Sequence, residues 1–350
     1  MKQHRLEFLG PGRVAVQVGP APRPAADQVL VRSRYSAISP GTEMLVYRGQ
    51  WPPGVTVDAT IGPLAGAFAY PLAYGYCAVG RVIASGEKVS SQWLGRRVFA
   101  FHPHQDLFCA GPETLLPIPD DLDDDTALFL PSMETAVNLL LDGCPLIGEK
   151  VIVIGQGIIG LLTTALLSRF PLADLTSLEP HPRRREASLR LGARQCLDPK
   201  DPDLFTRLGA IPGQGGQADL VYELSGNPAG LTTALSLARY SGRVVVGSWY
   251  GAKKVELDLG SFFHRGRVAL ISSQVSSIAP ALTGRWPNSR RLDLAWDMLR
   301  LVRPAACITQ RFALAEAALA YNLIDCNPEE TLQVIFDYGP IKKMQQKFKE

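Results

Sequence analysis

The ten residues VIVIGQGIIG, Val151 to Gly160, decide how this 350-residue chain is read. The first four form an unbroken β-branched run, the composition of a parallel strand covered on both faces. Gly155, Gly157 and Gly160 follow at the spacing GxGxxG, and the stretch GIIGLLTTALLSRF then continues with a helical, apolar texture. Strand, glycine loop and helix in direct succession turn a weak pattern into an informative one. Gly155 suits a tight turn, Gly157 lets backbone approach a pyrophosphate, and Gly160 lets the helix pack on the strand. Gln156, Ile158 and Ile159 complete a loop whose backbone N–H groups open the helix and face an anion.

Working outward, the next strand reads LTSLE and ends on Glu179. About 20 residues beyond such a loop, an acidic side chain accepts hydrogen bonds from the adenosine ribose hydroxyls and repels a 2′-phosphate, which predicts NAD. Arg183 to Arg185 lie just beyond, and an arginine there keeps NADP open as an alternative. DLVYELSG and RVVVGSW are further strands, alternating with the helical patterns REASLRLGA and PAGLTTALSLARY. That alternation predicts a doubly wound parallel sheet, so the fold class is α/β. Ser225, Gly226, Gly247 and Ser248 fall in carboxyl-end loops, where open α/β sheets bind their ligands.

The first 125 residues have a different texture, rich in Pro and Gly with short runs of period near 2, such as QVLVRSRYSAI and YCAVGRVIASG. They read as a small β-rich domain. Beyond about residue 275 regularity falls, RFALAEAALAYNLI reads as an amphipathic helix, and LQVIFDY reads as a final strand returning to the first domain. The expected division is therefore 1–125 with 285–350, and 126–284 as the dinucleotide-binding domain.

Composition excludes several classes. With 46% hydrophobic and 20% charged residues and a net charge of +3, nothing selects nucleic acid. The basic runs, Arg183 to Arg185 and Lys342 to Lys349, read as solvated faces. No stretch has the length of a membrane span or the form of a signal peptide, so a cytoplasmic location is expected. Six scattered cysteines, without Cys-x-x-Cys or finger spacing, argue against a disulfide scaffold and a structural zinc site.

Over essentially its whole length the chain resembles the medium-chain dehydrogenase/reductase superfamily, through RSRYSAISPGTEMLVYRG, YGYCAVGRVIASGEKV, GRRVFAF, the glycine loop and RFALAEAALAYNLI. The resemblance implies a GroES-like β-barrel domain completed by the carboxyl-terminal segment, an intervening Rossmann domain, an active cleft between them, a small-molecule substrate and a homodimer. The stretches ISPGTE, GYCAVG and HPHQD are similar to the branch that includes bacteriochlorophyllide a dehydrogenase, which implies oxidation of a secondary alcohol to a ketone.

Zinc-dependent relatives place a cysteine in the segment corresponding to Ile38 to Glu43, a histidine and a glutamate in that of Gly75 to Cys77, and a third ligand at Glu134. Here Ser39, Pro40, Tyr76 and Cys77 stand instead, and where those relatives carry a four-cysteine lobe this chain has Cys109 alone. A hydroxyl, a phenol and one carboxylate suit zinc poorly, so zinc is not expected and protein groups should take its place. The candidates are Ser39, Glu43, Tyr76, His102, His104 and Glu134. Tyr76 has a hydroxyl to donate to the reacting oxygen, and a histidine suits proton exchange near neutral pH. Each has a plainer reading: loop histidines are commonly surface residues, Tyr76 packs beneath the cofactor, and Glu134 compensates a helix dipole. An irregular metal site of Glu134 with His102 or His104 also stays open. Three functions follow: a zinc-independent alcohol dehydrogenase or ketone reductase using NAD, an NADPH-dependent quinone or enoyl reductase, and a cofactor-binding protein without turnover.

Overall fold

The computed structural model describes residues 1–58 and 61–341; the basic run from Lys342 lies outside the described residues. The chain divides into two compact units, residues 1–129 with the carboxyl-terminal segment from 308, and residues 130–307.

The first unit opens with a hairpin, β1 (Lys2–Gly10) and β2 (Arg13–Pro20). Then come β3 (Val29–Ala37), α1 (Pro40–Tyr47), β4 (Ala78–Ser85), β5 (Arg97–Ala100), β6 (Leu107–Ala110), β7 (Leu115–Pro117) and α2 (Asp124–Ala127). β3 is the hub of this sheet, pairing antiparallel with β4 and with β6. Its alternation explains why: Val29 and Val31 sink into one core with Ala78, Val82 and Val98. α1 starts on Pro40, where a missing N–H costs nothing.

The second unit runs α3 (Leu130–Gly143), β8 (Lys150–Ile154), α4 (Ile158–Leu167), β9 (Asp174–Leu178), α5 (Pro182–Arg190), β10 (Gln195–Leu197), α6 (Leu204–Arg207), β11 (Ala218–Glu223), α7 (Pro228–Leu237), β12 (Ala238–Val246), β13 (Ala269–Ser272) and α8 (Asn288–Val302). The six strands are all parallel, in the order β10-β9-β8-β11-β12-β13. This is the doubly wound arrangement, with its switch point between β8 and β11. β8 needs apolar residues throughout because both its faces are covered: Val151 and Val153 enter one core, Ile152 and Ile154 the other.

The chain then returns to the first unit with β14 (Ile308–Ala313), α9 (Ala317–Cys326) and β15 (Gln333–Asp337). β15 pairs antiparallel with β3 and parallel with β14, completing a seven-stranded sheet. Two expectations change here. Arg311 to Ala313 end a strand instead of opening a helix, because β15 supplies backbone partners for them. The second boundary lies at 307/308 and not near 285, because α8 packs on α3 through Arg291, Ala295 and Leu299. Among the described residues no helix is long and apolar enough to cross a membrane.

Candidate active site

At the switch point of the second unit, Gly155 adopts φ +89, a left-handed conformation that favours glycine. Gly157 caps α4 without a side-chain acceptor, and a Cβ added to it would meet nothing within 4 Å. The first turn of α4 therefore offers its N–H groups to open space. Gly160 has no such room, since a Cβ there would collide with the Gly155 carbonyl oxygen. Ile158 is buried in the first turn of α4, and Ile159 packs into the core beneath it. Gln156 is fully buried, and its side chain ties the loop from within, donating to the Gly155 carbonyl at 3.1 Å and accepting from Thr164 at 3.1 Å.

Glu179 stands at the end of β9, 2% exposed, where its carboxylate accepts from the Gln156 N–H at 2.7 Å and the His181 N–H at 3.1 Å. The acid predicted for the ribose thus reaches the glycine loop itself. Arg185 is turned inward, donating to the carbonyls of Glu179 and Pro180 at 2.9 and 2.7 Å, whereas Arg183 is exposed. Beyond β11, Gly226 adopts φ +67 and donates its N–H to Ser248 Oγ at 2.8 Å. Ser225 donates its N–H to Glu223 at 2.9 Å, and Gly247 donates to the Glu223 carbonyl at 3.0 Å.

The first unit brings together three hydroxyls. Tyr76 donates to Ser39 Oγ, Thr42 Oγ1 lies 2.7 Å from the Tyr76 hydroxyl, and Thr42 and Ser39 lie 3.2 Å apart. All three residues are half-buried, and burial pushes the Tyr76 hydroxyl up to about 12, so it is a proton donor at neutral pH. Behind them stands a buried relay. Glu43 accepts from the Ser39 N–H at 2.7 Å and from Tyr321, and lies 3.0 Å from His104 Nε2. His104 Nδ1 is 2.7 Å from Ser36 Oγ, which meets the Tyr338 hydroxyl at 2.8 Å. Glu43 and His104 are both 0% exposed, so they support Ser39 from behind and are closed to solvent. Gly75 makes room for the imidazole, since a Cβ there would lie 2.6 Å from it.

The remaining candidates are differently committed. His102 stacks on Phe108 with centroids 4.0 Å apart and accepts from Gln105 at 2.9 Å. Its burial pulls the imidazole down to about 4, so the ring is neutral at neutral pH. Glu134, in the second unit, is held by Arg291 through two guanidinium contacts of 3.1 and 3.0 Å. Burial pushes its carboxyl up while Arg291 opposes that shift. The Cys77 thiol is buried and donates to the Leu128 carbonyl at 2.8 Å. Among the described residues no three His, Cys, Asp or Glu side chains are grouped to hold a metal ion. At the positions that the resemblance assigns to zinc ligands stand hydroxyls, a buried thiol and an arginine-bound carboxylate.

Tyr321, Glu223 and Arg291 escaped the sequence reading, and Thr42 entered it only as part of the stretch Ser39 to Glu43. Thr42 sits within ISPGTE and was within reach of it. A carboxylate in the apolar run DLVYELSG and an arginine on the buried face of a helix are signals of paired charge.

Comparison with known proteins adds three findings. The model of the zinc-binding dehydrogenase family matches residues 159–292. D-guloside 3-dehydrogenase of Escherichia coli K12 is 24% identical over 290 residues, covering 78% of this chain and 81% of its own. Two solved structures share the fold over 96% of this chain and 99% of theirs: an alcohol dehydrogenase of Escherichia coli CFT073 with NADH (TM-score 0.76, 19% identity) and a dehydrogenase of Sinorhizobium meliloti 1021 with NADP (TM-score 0.73, 19% identity).

Proposed function

We propose that the chain is a member of the medium-chain dehydrogenase/reductase superfamily, in the zinc-type alcohol dehydrogenase-like group, and an enzyme moving hydride between a nicotinamide dinucleotide and an alcohol or its ketone. One observation carries the reading. The unfilled helix terminus at Gly157 and the acid Glu179 meet at the switch point, the combination that takes a dinucleotide by pyrophosphate and ribose. When bound, the nicotinamide accepts or returns the hydride of the carbinol carbon.

The rest falls to this chain's own groups. Glu179 disfavours a 2′-phosphate, so NAD is the cofactor; the exposed Arg183 is the observation on the side of NADP. With substrate bound, the Tyr76 hydroxyl turns its hydrogen from Ser39 Oγ to the substrate oxygen in place of a metal, and the half-buried Ser39 and Thr42 pass the alcohol proton to solvent through their hydroxyls. Glu43 and His104 keep Ser39 in place. No step uses zinc, because the side chains at the ligand positions are committed elsewhere. The partner is a small molecule, with a second copy of the chain pairing along the open β13 edge, where Leu270 is 41% exposed.

The test is a titration of the purified protein with NADH and with NADPH, followed by turnover on secondary alcohols with and without a chelator. Tighter NADH binding and chelator-resistant alcohol oxidation are expected. NADPH preference together with turnover only on enones or quinones would replace this reading with C=C reduction. Cofactor binding without turnover on any of these would leave a non-catalytic role.

A further inference from the structure

Glu223 ends β11, beside Ile154 of β8, at the point where strand order reverses. It is 0% exposed, and every group bonded to its carboxylate is a donor. One carboxylate oxygen accepts the Ser225 N–H at 2.9 Å and the Ser225 hydroxyl; the other accepts the Tyr250 hydroxyl at 2.5 Å. Its carbonyl accepts the N–H groups of Gly247 and Ser248 at 3.0 and 3.2 Å. Gly230, in the first turn of α7, leaves the space it needs, since a Cβ there would lie 2.6 Å from the carboxylate.

These bonds join two loops that leave different strands. The Ser225 loop packs directly on the glycine loop: a Cβ on Gly155 would lie 2.6 Å from Ser225 Cα and 2.7 Å from Ser225 N. The two loops are further tied by Gly226 N to Ser248 Oγ at 2.8 Å and by Lys253 to the Gly226 carbonyl at 2.8 Å. Packing alone would favour an apolar side chain at this strand end, because burying a carboxylate is costly unless its oxygens are saturated. Three donors from two loops supply that saturation.

We propose that Glu223 is a positioning residue of the dinucleotide site, fixing the Ser225–Gly226 and Gly247–Tyr250 loops against the glycine loop so that their backbone groups stand ready for the cofactor. The inference rests on the dinucleotide reading above. Glu223→Gln preserves shape but replaces one acceptor oxygen with an amide N–H, so the Tyr250 hydroxyl must turn from donor to acceptor and both loops lose their bond to a charged carboxylate. Tyr250→Phe removes one donor and leaves Ser225 bonded.

The experiment combines NADH and NADPH titration of the wild-type, Glu223→Gln and Tyr250→Phe proteins with amide hydrogen exchange on their cofactor-free forms. Glu223→Gln should weaken dinucleotide binding about tenfold, the equivalent of one charge-assisted hydrogen bond. Exchange should speed up at Ser225, Gly226, Gly247 and Ser248, with the amides of β8 unchanged. Tyr250→Phe should speed exchange in the 247–250 stretch and spare Ser225. Unchanged affinity in Glu223→Gln overturns the inference, and so does faster exchange spread equally over β8 and β11, the mark of a residue that merely stabilises the fold. A wild-type protein that binds neither dinucleotide overturns the proposed function instead, and the selectivity of exchange still decides whether Glu223 fixes the two loops.

Discussion

Tyr76 keeps its proton through the neutral and mildly alkaline range because burial pushes it up to about 12. In the reduction direction it therefore gives its proton to the substrate oxygen and is reprotonated from solvent through Ser39 and Thr42, and oxidation runs the same transfers in reverse. Tyr76→Phe removes that donor without altering the ring, and kcat should fall about 100-fold, the usual loss for one oxyanion donor. NADH affinity should stay within about twofold, because Tyr76 lies outside the residues assigned to the dinucleotide. Steady-state kinetics with a parallel titration would check this, and unchanged kcat would remove Tyr76 from the chemistry. His102 makes a second, independent prediction. Its folded pKa of about 4 lies below the ordinary 6.5, so the folded state holds the neutral ring. A depressed pKa stabilises above the unfolded value and loses that contribution as pH falls towards the folded one. Melting temperature should thus drop between pH 6.5 and pH 4, and His102→Phe, which preserves the stack on Phe108, should flatten that drop. An equally steep acid limb in the variant would place the titrating group elsewhere.

Two glycines of one turn carry the argument at the scale of elements. Gly160 has no space for a methyl group against the Gly155 carbonyl, whereas Gly157 borders open space. Gly160→Ala should cost about 3 kcal/mol of stability through overpacking. Gly157→Ala should melt within a few degrees of wild type yet bind NADH at least about tenfold more weakly, because its methyl group occupies the place of the pyrophosphate. If Gly157→Ala bound normally, the phosphates would lie elsewhere. This strand–turn–helix was legible because its signals are contiguous: a β-branched run, three glycines and an acid at the next strand end. The hydroxyl cluster was legible in part, with Ser39 and Tyr76 evident and Thr42 between them. The buried relay was not, since Glu43 meets a tyrosine 278 residues away and Ser36 meets one 302 away, pairings only the fold creates. HPHQD reads as a surface loop, yet His104 is buried because Gly75 clears a place for it. Glu134 looked available because its partner Arg291 sits on a helix 157 residues later.

For the whole molecule the decisive fact is the unequal way its two units are built from the chain. The unit of residues 130–307 is continuous and carries two cores, one on each face of its parallel sheet. The other is discontinuous: β15 is a partner of the central β3, and Tyr321 and Phe336 enter its core beside Leu6 and Phe8. Every residue assigned here to the dinucleotide, from Gly155 to Ser248, lies in the continuous unit, and every hydroxyl of the Tyr76 cluster lies in the other. A fragment of residues 130–307 should therefore fold cooperatively and bind NADH within about tenfold of the full chain, since its bonds to the cofactor are all internal. It should catalyse no alcohol oxidation. A chain ending at Cys307 should keep NADH binding too, yet lose the protection of β3 amides in hydrogen exchange, because β3 then lacks β15 and the core lacks Tyr321 of α9. Turnover by the fragment would show that the hydroxyl cluster is dispensable. Loss of NADH binding by a well-folded fragment would mean that residues outside 130–307 complete the cofactor site, and the assignment of Glu179, Ser225 and Gly247 as sufficient would fall with it.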